Sequence, residues 1–149
     1  MKRRCTLVLL LPCLFAAPAM ARTCAVLIQG NDQMKFDSPE IALAADCTEV
    51  QLTLKHTGKL AANVMGHNWV LTRTADFQAV ANDGMRATLA DAYVKKGDTR
   101  VLAHTVVIGG GESTTIRFPT RGLAKGGDYT FFCSFPGHWA MMKGKLVFG

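Results

Sequence analysis

The sequence lacks the basic blocks and the interleaved basic and aromatic residues that are typical of nucleic-acid-binding surfaces. Outside the first 21 residues, Lys95-Lys96 is the only adjacent pair of basic residues. The chain has 17 Lys and Arg against 11 Asp and Glu, and three of the basic residues lie in its first four positions. The remainder therefore carries 14 basic and 11 acidic residues, a net charge of +3. This mild charge argues against a nucleic-acid partner.

The chain also lacks an apolar run of the 18 or so residues that a membrane-spanning helix needs. Its longest candidate, residues 7–17, is interrupted only by Pro12. Three basic residues, Lys2, Arg3 and Arg4, precede this run, and Ala19-Met20-Ala21 follows it with the small residues of a cleavage site. This order predicts a secretion signal over residues 1–21.

Removal of that segment predicts a single mature domain over residues 22–149, exported to the periplasm without stable membrane association. A membrane anchor is the weaker alternative because the apolar run is short. A lipoprotein attached through Cys13 is another alternative. However, Pro12 occupies the position before Cys13, where lipoproteins usually have a small residue. Neither internal repeats nor low-complexity tracts interrupt the domain.

Cysteine is scarce in the mature domain and odd in number: Cys24, Cys47 and Cys133. In an oxidising compartment structural thiols tend to pair. Cys24 and Cys47 lie near the start, so a disulfide between them is the economical pairing and leaves Cys133 as a lone thiol. A single thiol retained in an exported protein needs an explanation, and metal binding provides one.

The domain does contain a series of short alternating or apolar segments separated by turn residues. This pattern is typical of an all-β sandwich or barrel. In residues 49–56 the alternation directs Leu52 and Leu54 to the core. The predicted strands are 24–29, 49–56, 67–73, 101–108, 113–118, 128–133 and 145–148.

One segment, residues 74–90, departs from the strand pattern. Apolar residues recur there at helical spacing, and Thr74 stands where a helix N-cap is expected. We therefore predict one short helix inserted between strands. The residues of its expected apolar face are Phe77, Val80, Ala81 and Met85.

The segment with the clearest chemistry is Cys133-Ser134-Phe135-Pro136-Gly137-His138, followed four residues later by Met142. A thiolate, an imidazole and a thioether from one loop form a soft donor set that suits copper. A trigonal site of two histidines and one cysteine, with a long axial methionine, is the blue-copper electron-transfer site. His67, between Gly66 and Asn68, is the best second histidine. The other two, His56 and His104, are interpreted as packed or surface residues.

These motifs resemble those of the azurins, bacterial members of the cupredoxin family. The similarity spans the mature chain and is carried by residues 28–34, 63–71 and 133–138. The four-residue gap between Cys133 and His138 is the azurin spacing. The resemblance implies a Greek-key β-sandwich with a helical flap and an amino-terminal disulfide.

The resemblance also implies the ligand set of a single copper ion. Its strong ligands would be His67, Cys133 and His138. Weak axial contacts would come from Met142 and from the backbone carbonyl of Gly66.

Further roles follow from the same resemblance. Asn68 should tie the two ligand loops together by hydrogen bonding to Ser134. The backbone N–H groups of Asn68 and Phe135 should point at the Cys133 sulfur. Trp69 is expected in the core, and His56 is expected to be partly buried beside the site without binding metal.

The implied function is one-electron transfer by a monomer and not enzymatic catalysis. The expected partners are redox proteins: c-type cytochromes, copper or haem reductases and oxidases, and dehydrogenases. Docking is expected on an apolar face around His138. Trp139 follows His138 where azurins commonly have a small residue, and Thr57 replaces a usual proline. The residues expected on the docking face are Met34, Leu60, Met65 and Trp139.

Two other classes of protein remain. A copper-sequestering or delivery protein would share soft ligands, but would be expected to carry Met- or His-rich flexible runs. A fragment of a copper oxidase or nitrite reductase would need histidines for a second copper, and only His56 and His104 are left over.

Overall fold

The computed structural model describes residues 21–149, so the predicted secretion signal lies outside the described residues except for Ala21. The described part forms two β-sheets with short helices between strands. The strands are β1 (Thr23–Asn31), β2 (Lys35–Phe36), β3 (Glu40–Leu43), β4 (Glu49–His56), β5 (Val70–Arg73), β6 (Val101–His104), β7 (Ser113–Pro119), β8 (Tyr129–Phe132) and β9 (Lys143–Phe148). The helices are α1 (Ala62–Met65) and α2 (Thr74–Gly84), with 3₁₀ turns at Leu89–Asp91 and Thr120–Gly122.

The two sheets have four and five strands. Their orders are β2-β1-β4-β7 and β3-β9-β8-β5-β6. Most neighbours are antiparallel, but β1 pairs with β4 and β3 pairs with β9 in parallel. The predicted all-β Greek-key sandwich is confirmed. In the part of the chain that is described, no helix is long and apolar enough to cross a bilayer.

The core lies between the sheets and contains the inward-facing residues of their strands. In β4 buried and partly exposed residues alternate, and Leu52 and Leu54 are completely buried as predicted. The indole of Trp69 is also buried, with its ring centroid 5.8 Å from that of Phe118 and 6.0 Å from that of Phe131. Trp69 is therefore a packing residue, as the resemblance implied.

The Cys24–Cys47 disulfide is present, with the two Cα atoms 5.8 Å apart. It joins β1 to the segment that leads into β4. Closing a loop of 23 residues contributes about 3 to 4 kcal/mol in the chain-entropy model. Cys133 is the free cysteine of the described residues and is buried. The predicted pairing is confirmed.

The inserted helix exists, but three details of its prediction were wrong. It ends at Gly84 and not at residue 90, and only a 3₁₀ turn follows. Thr74 does not cap the helix, because it is the first helical residue and Arg73 occupies the N-cap position; the Thr74 hydroxyl donates to the Asp128 carboxylate over 2.9 Å. Met85 is 52% exposed, whereas Val80 and Ala81 are buried as predicted.

Several strand boundaries also differ from the prediction. Strands β2 and β3 and helix α1 were missed, because two to four residues are too few to establish a period. The fourth predicted strand, residues 101–108, is β6 and ends at His104. The strand predicted from residue 67 begins at Val70, and His67 instead forms an isolated bridge with Ile108.

Candidate metal centre

One arm of the site is the loop between β8 and β9. Strand β8 ends at Phe132 and delivers Cys133 into the interior. The loop then turns at Gly137, whose φ of 82° favours glycine. The Met142 N–H donates to the His138 carbonyl over 2.8 Å, so the two residues are one helical turn apart, as the sequence spacing predicted. The Cys133 N–H donates to the Met142 carbonyl over 2.9 Å and closes the base of the loop.

The second arm is the segment between α1 and β5. Its position is set by two backbone hydrogen bonds between His67 and Ile108, with N···O distances of 3.0 and 2.8 Å. Gly66 lies just before it, packed so closely against the Ala62 carbonyl that a side chain would not fit. His67 and the Gly66 carbonyl are therefore presented by rigid backbone on both sides.

The two arms bring the predicted strong ligands together. The Cys133 Sγ lies 3.9 Å from Nδ1 of His67 and 3.6 Å from Nδ1 of His138. The Gly66 carbonyl oxygen is 3.9 Å from the same sulfur. His67, Cys133 and His138 form the one convergent group of three or more His, Cys, Asp or Glu side chains found among residues 21–149. All three are buried.

Met142 is also completely buried and packs in one cluster with Cys133 and Phe135. The site thus combines nitrogen, thiol and thioether donors, with no carboxylate in the convergent group. This donor set fits copper and does not suit hard cations such as magnesium or calcium.

Hydrogen bonds outside the site select the tautomer of His67. Its Nε2 lies 2.8 Å from the Asn31 carbonyl, which only accepts, so the proton sits on Nε2. The lone pair of Nδ1 therefore faces Cys133. Such an outer contact is typical of metal-binding histidines.

His56 is buried and stacks on His67, with ring centroids 4.3 Å apart and an angle of 17° between the ring planes. Both of its nitrogens have partners outside the donor group. Nε2 lies 2.9 Å from the Met65 carbonyl, and Nδ1 accepts from the Gly58 N–H over 3.0 Å. His56 therefore packs behind a predicted ligand and is more deeply buried than expected. His104 is exposed at the end of β6.

Burial keeps both predicted histidine ligands uncharged. Loss of hydration, reinforced by the charges of His67 and His56, lowers the pKa of His138 to about 4. Loss of hydration is also the main cause that lowers the pKa of His67. Both rings are consequently neutral near pH 7, the form in which imidazole binds a metal.

The thiol of Cys133 is subject to two opposing effects. Burial raises its pKa to about 12, whereas hydrogen bonds from the Asn68 and Phe135 N–H groups act to lower it. These are the two backbone donors that the resemblance placed at the sulfur. Because a thiolate is the metal-binding form, metal binding must release the thiol proton.

Asn68 connects the two arms. Its side-chain oxygen accepts from the Ser134 N–H over 2.8 Å, and its amide nitrogen donates to the Ser134 hydroxyl over 2.8 Å. The same nitrogen donates to the Ala92 carbonyl over 2.8 Å, and the Ser134 hydroxyl donates to that carbonyl over 2.9 Å. The expected Asn68–Ser134 link is present, and Ala92 is an additional member.

The residues expected on the docking face differ in exposure. Leu60 is 42% exposed, while Met34 and Met65 are half-buried. Trp139 is also half-buried, and its indole packs edge-on against Phe77, with ring centroids 6.1 Å apart. A docking role for these residues stays a prediction.

The sequence and the fold both match known copper proteins. The family model described as copper-binding proteins of the plastocyanin/azurin family matches residues 22–149. The chain belongs to this family. It is 60% identical to azurin from Bordetella pertussis over 132 residues, which cover 89% of this chain and 88% of that protein. It is 54% identical to azurin from Achromobacter denitrificans over 129 residues, 87% of each chain.

The structure agrees with this membership. A solved azurin, Az-iso2 of Methylomonas sp. strain J, matches with a TM-score of 0.82 and 40% identity, over 85% of this chain and 98% of the other. The predicted family, the copper cofactor and the coarse function of a blue-copper electron-transfer protein are therefore confirmed.

Some contacts at the centre were beyond the sequence prediction. The carbonyls of Asn31 and Ala92 are backbone groups, which side-chain identity does not reveal. Gly30 also touches the site from β1. Gly30 and Asn31 lie in the Ile-Gln-Gly-Asn-Asp-Gln-Met motif of the resemblance. The sequence therefore marked this segment but did not indicate that it contacts the site.

Proposed function

We propose that this chain is a periplasmic carrier of single electrons that binds one copper ion through His67, Cys133 and His138. Met142 and the Gly66 carbonyl would make weak axial contacts. When bound, copper supplies the Cu(I)/Cu(II) couple that accepts and releases the electron. The residues of the chain hold the donor set, exclude water and present an edge of the site to partners.

The observation that carries this proposal is the preformed and buried convergence of three donors. The Nδ1 atoms of His67 and His138 lie within 4 Å of the Cys133 sulfur, and each donor sits on backbone anchored by hydrogen bonds. Every ligand movement that accompanies a change of oxidation state adds to the barrier for electron transfer. A site anchored in this way supports rapid transfer because its donors need not rearrange.

The same site offers little room for a substrate. Catalytic metal sites keep an open coordination position. Here Met142 is completely buried beside Cys133, and the Gly66 carbonyl stands 3.9 Å from the sulfur. The buried Met142 side chain and the Gly66 carbonyl would take the weak axial positions of a bound copper ion, which supports a role as a carrier and not as an enzyme.

An apolar surface supports brief docking of redox proteins. Leu60 is exposed. Val64, which precedes Met65, is 58% exposed, and Met141, which precedes Met142, is 64% exposed. Exposed apolar patches mark interaction sites, and redox encounters use small, weak interfaces. The partners proposed for this monomer are c-type cytochromes, copper or haem reductases and oxidases, and dehydrogenases.

Residues 1–21 are proposed to direct export and to be removed, which leaves residues 22–149 as the copper domain. Determination of the amino-terminal residue of protein recovered from the periplasm tests this directly. A start at or near Arg22 supports the proposal. Retention of residue 1, or a lipid on Cys13, contradicts it.

The central test is the visible and EPR spectrum of the copper-loaded, oxidised protein, together with its copper content. One copper per chain with an intense band at the red end of the visible range supports the proposal. Copper bound without intense colour favours a sequestering or delivery protein. A second copper per chain favours a fragment of a copper enzyme.

A further inference from the structure

The two arms of the site are not its only walls, because β1 also reaches it at Gly30. Gly30 is buried near the end of β1. A methyl group built on it would lie 2.8 Å from Cε of Met142 and 2.9 Å from Cδ2 of His67. Carbon atoms in contact are about 3.5 to 4.0 Å apart, so the side chain of even alanine does not fit.

The backbone conformation at position 30 does not explain why this residue is glycine. The glycines with positive φ among the described residues are Gly97, Gly111, Gly126, Gly137 and Gly149. Gly30 is absent from that group, so its φ is one that other residues adopt readily. The requirement at position 30 is therefore for space beside Met142 and His67.

The strand itself is poorly able to retreat from an added methyl. The Gly30 carbonyl accepts from the Thr57 N–H over 2.8 Å and from the Thr57 hydroxyl over 3.0 Å. Gly30 also pairs with His56 of β4 on one side and with Phe36 of β2 on the other. Its backbone is thus held in the middle of the sheet.

The imidazole of His67 is held as firmly. Its Nε2 is bonded to the Asn31 carbonyl over 2.8 Å, and its ring stacks on His56. Met142 is the flexible neighbour, because an unbranched thioether rotates about three side-chain bonds. An added methyl would therefore be accommodated mainly by displacement of the Met142 thioether.

We propose that Gly30 is a positioning residue whose missing side chain fixes the place of the Met142 thioether and thereby sets the reduction potential. This inference rests on the proposed role of Met142 as a weak axial ligand. Alanine at position 30 displaces the Met142 methyl group, and with it the thioether, from its place in the site. The reduction potential then rises, in the same direction as when the thioether is removed.

The experiment compares four variants: Gly30→Ala, Met142→Leu, the double variant, and Gly122→Ala as matched control. Gly122 has no heavy atom within 4 Å of an added methyl and no positive φ, so it reports the effect of the substitution alone. Redox titration against a reference carrier and the visible spectrum are measured on copper-loaded protein. The Met142 methyl resonance is measured by NMR on copper-free protein.

Gly30→Ala is expected to keep the blue band and to shift the equilibrium constant of electron exchange by up to about tenfold, or about 59 mV for one electron. The Met142 methyl resonance moves in the copper-free protein, and neither quantity changes in Gly122→Ala. In the Met142→Leu background Gly30→Ala shifts the potential no further, because there is no thioether left to displace. Failure of the single variant to fold, with rescue by the shorter leucine, supports the same contact.

A Gly30→Ala potential equal to that of the Gly122→Ala control overturns the inference. An equal shift of the potential by Gly30→Ala in the wild-type and Met142→Leu backgrounds also overturns it, because the effect would then lie on His67 or on the strand. Failure of both Gly30→Ala and the double variant to fold overturns it as well. These results are separate from failure of the proposed function. If the wild-type protein with copper is itself not blue, the ligand assignment is wrong and position 30 is not at issue.

Discussion

The side-chain amide of Asn68 hydrogen-bonds both to the backbone N–H and to the hydroxyl of Ser134, each over 2.8 Å. The two residues are 66 positions apart, and all of these groups are buried. Since Asn68 follows His67 and Ser134 follows Cys133, this pair fixes one predicted ligand relative to the other.

Replacement of Asn68 by leucine is expected to lower the free energy of unfolding of the copper-free protein by about 2 to 3 kcal/mol, because the buried Ser134 N–H loses its partner. Chemical denaturation measures this. Asn63→Leu, at an exposed asparagine, is the matched control and should be near neutral. Equal stability of the two variants would show that the bridge contributes nothing.

Replacement of Cys133 by serine is expected to abolish the intense red-end visible band, since that band requires thiolate-to-copper charge transfer. The measurement is the absorption spectrum after addition of Cu(II). The fold should persist, because the disulfide and the main core lie elsewhere. A blue serine variant would refute the site assignment.

Replacement of Met142 by leucine is expected to preserve the blue colour and to raise the reduction potential. An apolar axial residue gives less electron density to the oxidised ion and keeps water out. The loss of stability should stay below about 1.5 kcal/mol because the two side chains are close in volume. Redox titration is decisive here, and a colourless protein or a lower potential would contradict the axial role.

The copper-free protein is expected to lose stability as pH falls from about 6.5 to about 4. In this window the unfolded chain protonates His138, whereas the buried ring, with a pKa of about 4, does not bind the proton until the lower limit. The unfolded state therefore binds more protons, and acid favours it; above about 6.5 the contribution is fully present.

Denaturation of copper-free protein across this pH range tests the expectation. His138→Gln should flatten part of the dependence, and His67 contributes to the remainder. His104→Gln replaces an exposed histidine outside the site and serves as the matched control. An identical profile for wild type and His138→Gln would rule out the His138 imidazole as a cause.

Replacement of Met65 or Trp139 by lysine is expected to slow electron self-exchange between two copies while leaving the visible spectrum unchanged. A charge in the apolar docking face repels the second copy and must be desolvated on contact. Leu27→Lys is the matched control. It makes the same charge change at an exposed apolar residue in the middle of β1, away from the end of the strand that reaches the site. Unaltered rates in both test variants would place the electron exit elsewhere.

The contact of Trp139 with Phe77 gives Trp139→Lys a second effect that Met65→Lys does not share. Because the indole packs against Phe77 of α2 and the core cluster behind it, Trp139→Lys also removes core packing. Met65→Lys is therefore the cleaner probe of docking. A slowed Trp139→Lys together with a normal Met65→Lys would indicate that exchange depends on the shape of the loop.

The sequence was most informative where period or spacing had a single interpretation. The alternation in β4 correctly predicted that Leu52 and Leu54 are buried. The spacing of Cys133, His138 and Met142 correctly predicted that one loop holds all three, with His138 and Met142 one helical turn apart. The residues of β3 were missed because pairing with the distant strand β9, and not local pattern, makes them a strand. Strand β2 pairs with its neighbour β1, but its two residues are too few to show a period.

Other features depend on tertiary contacts that no local rule contains. Thr74 has the character of a helix cap, but the helix begins at Thr74 itself, and its hydroxyl donates to a residue distant in sequence, Asp128. The tautomer of His67 is set by the carbonyl of Asn31, a group that every residue possesses. The need for space at Gly30 likewise becomes visible only when β1 lies beside Met142.

The hydrogen bond from the Cys133 N–H to the Met142 carbonyl separates the loop from the sheet. It continues the pairing of β8 with β9 one step beyond Phe132 and Lys143, so the loop has a closed neck. Residues can be inserted or deleted above that neck without shifting the register of the sheet below. A change of length in this loop is therefore expected to alter the site and its rim, while the strands below keep their pairing.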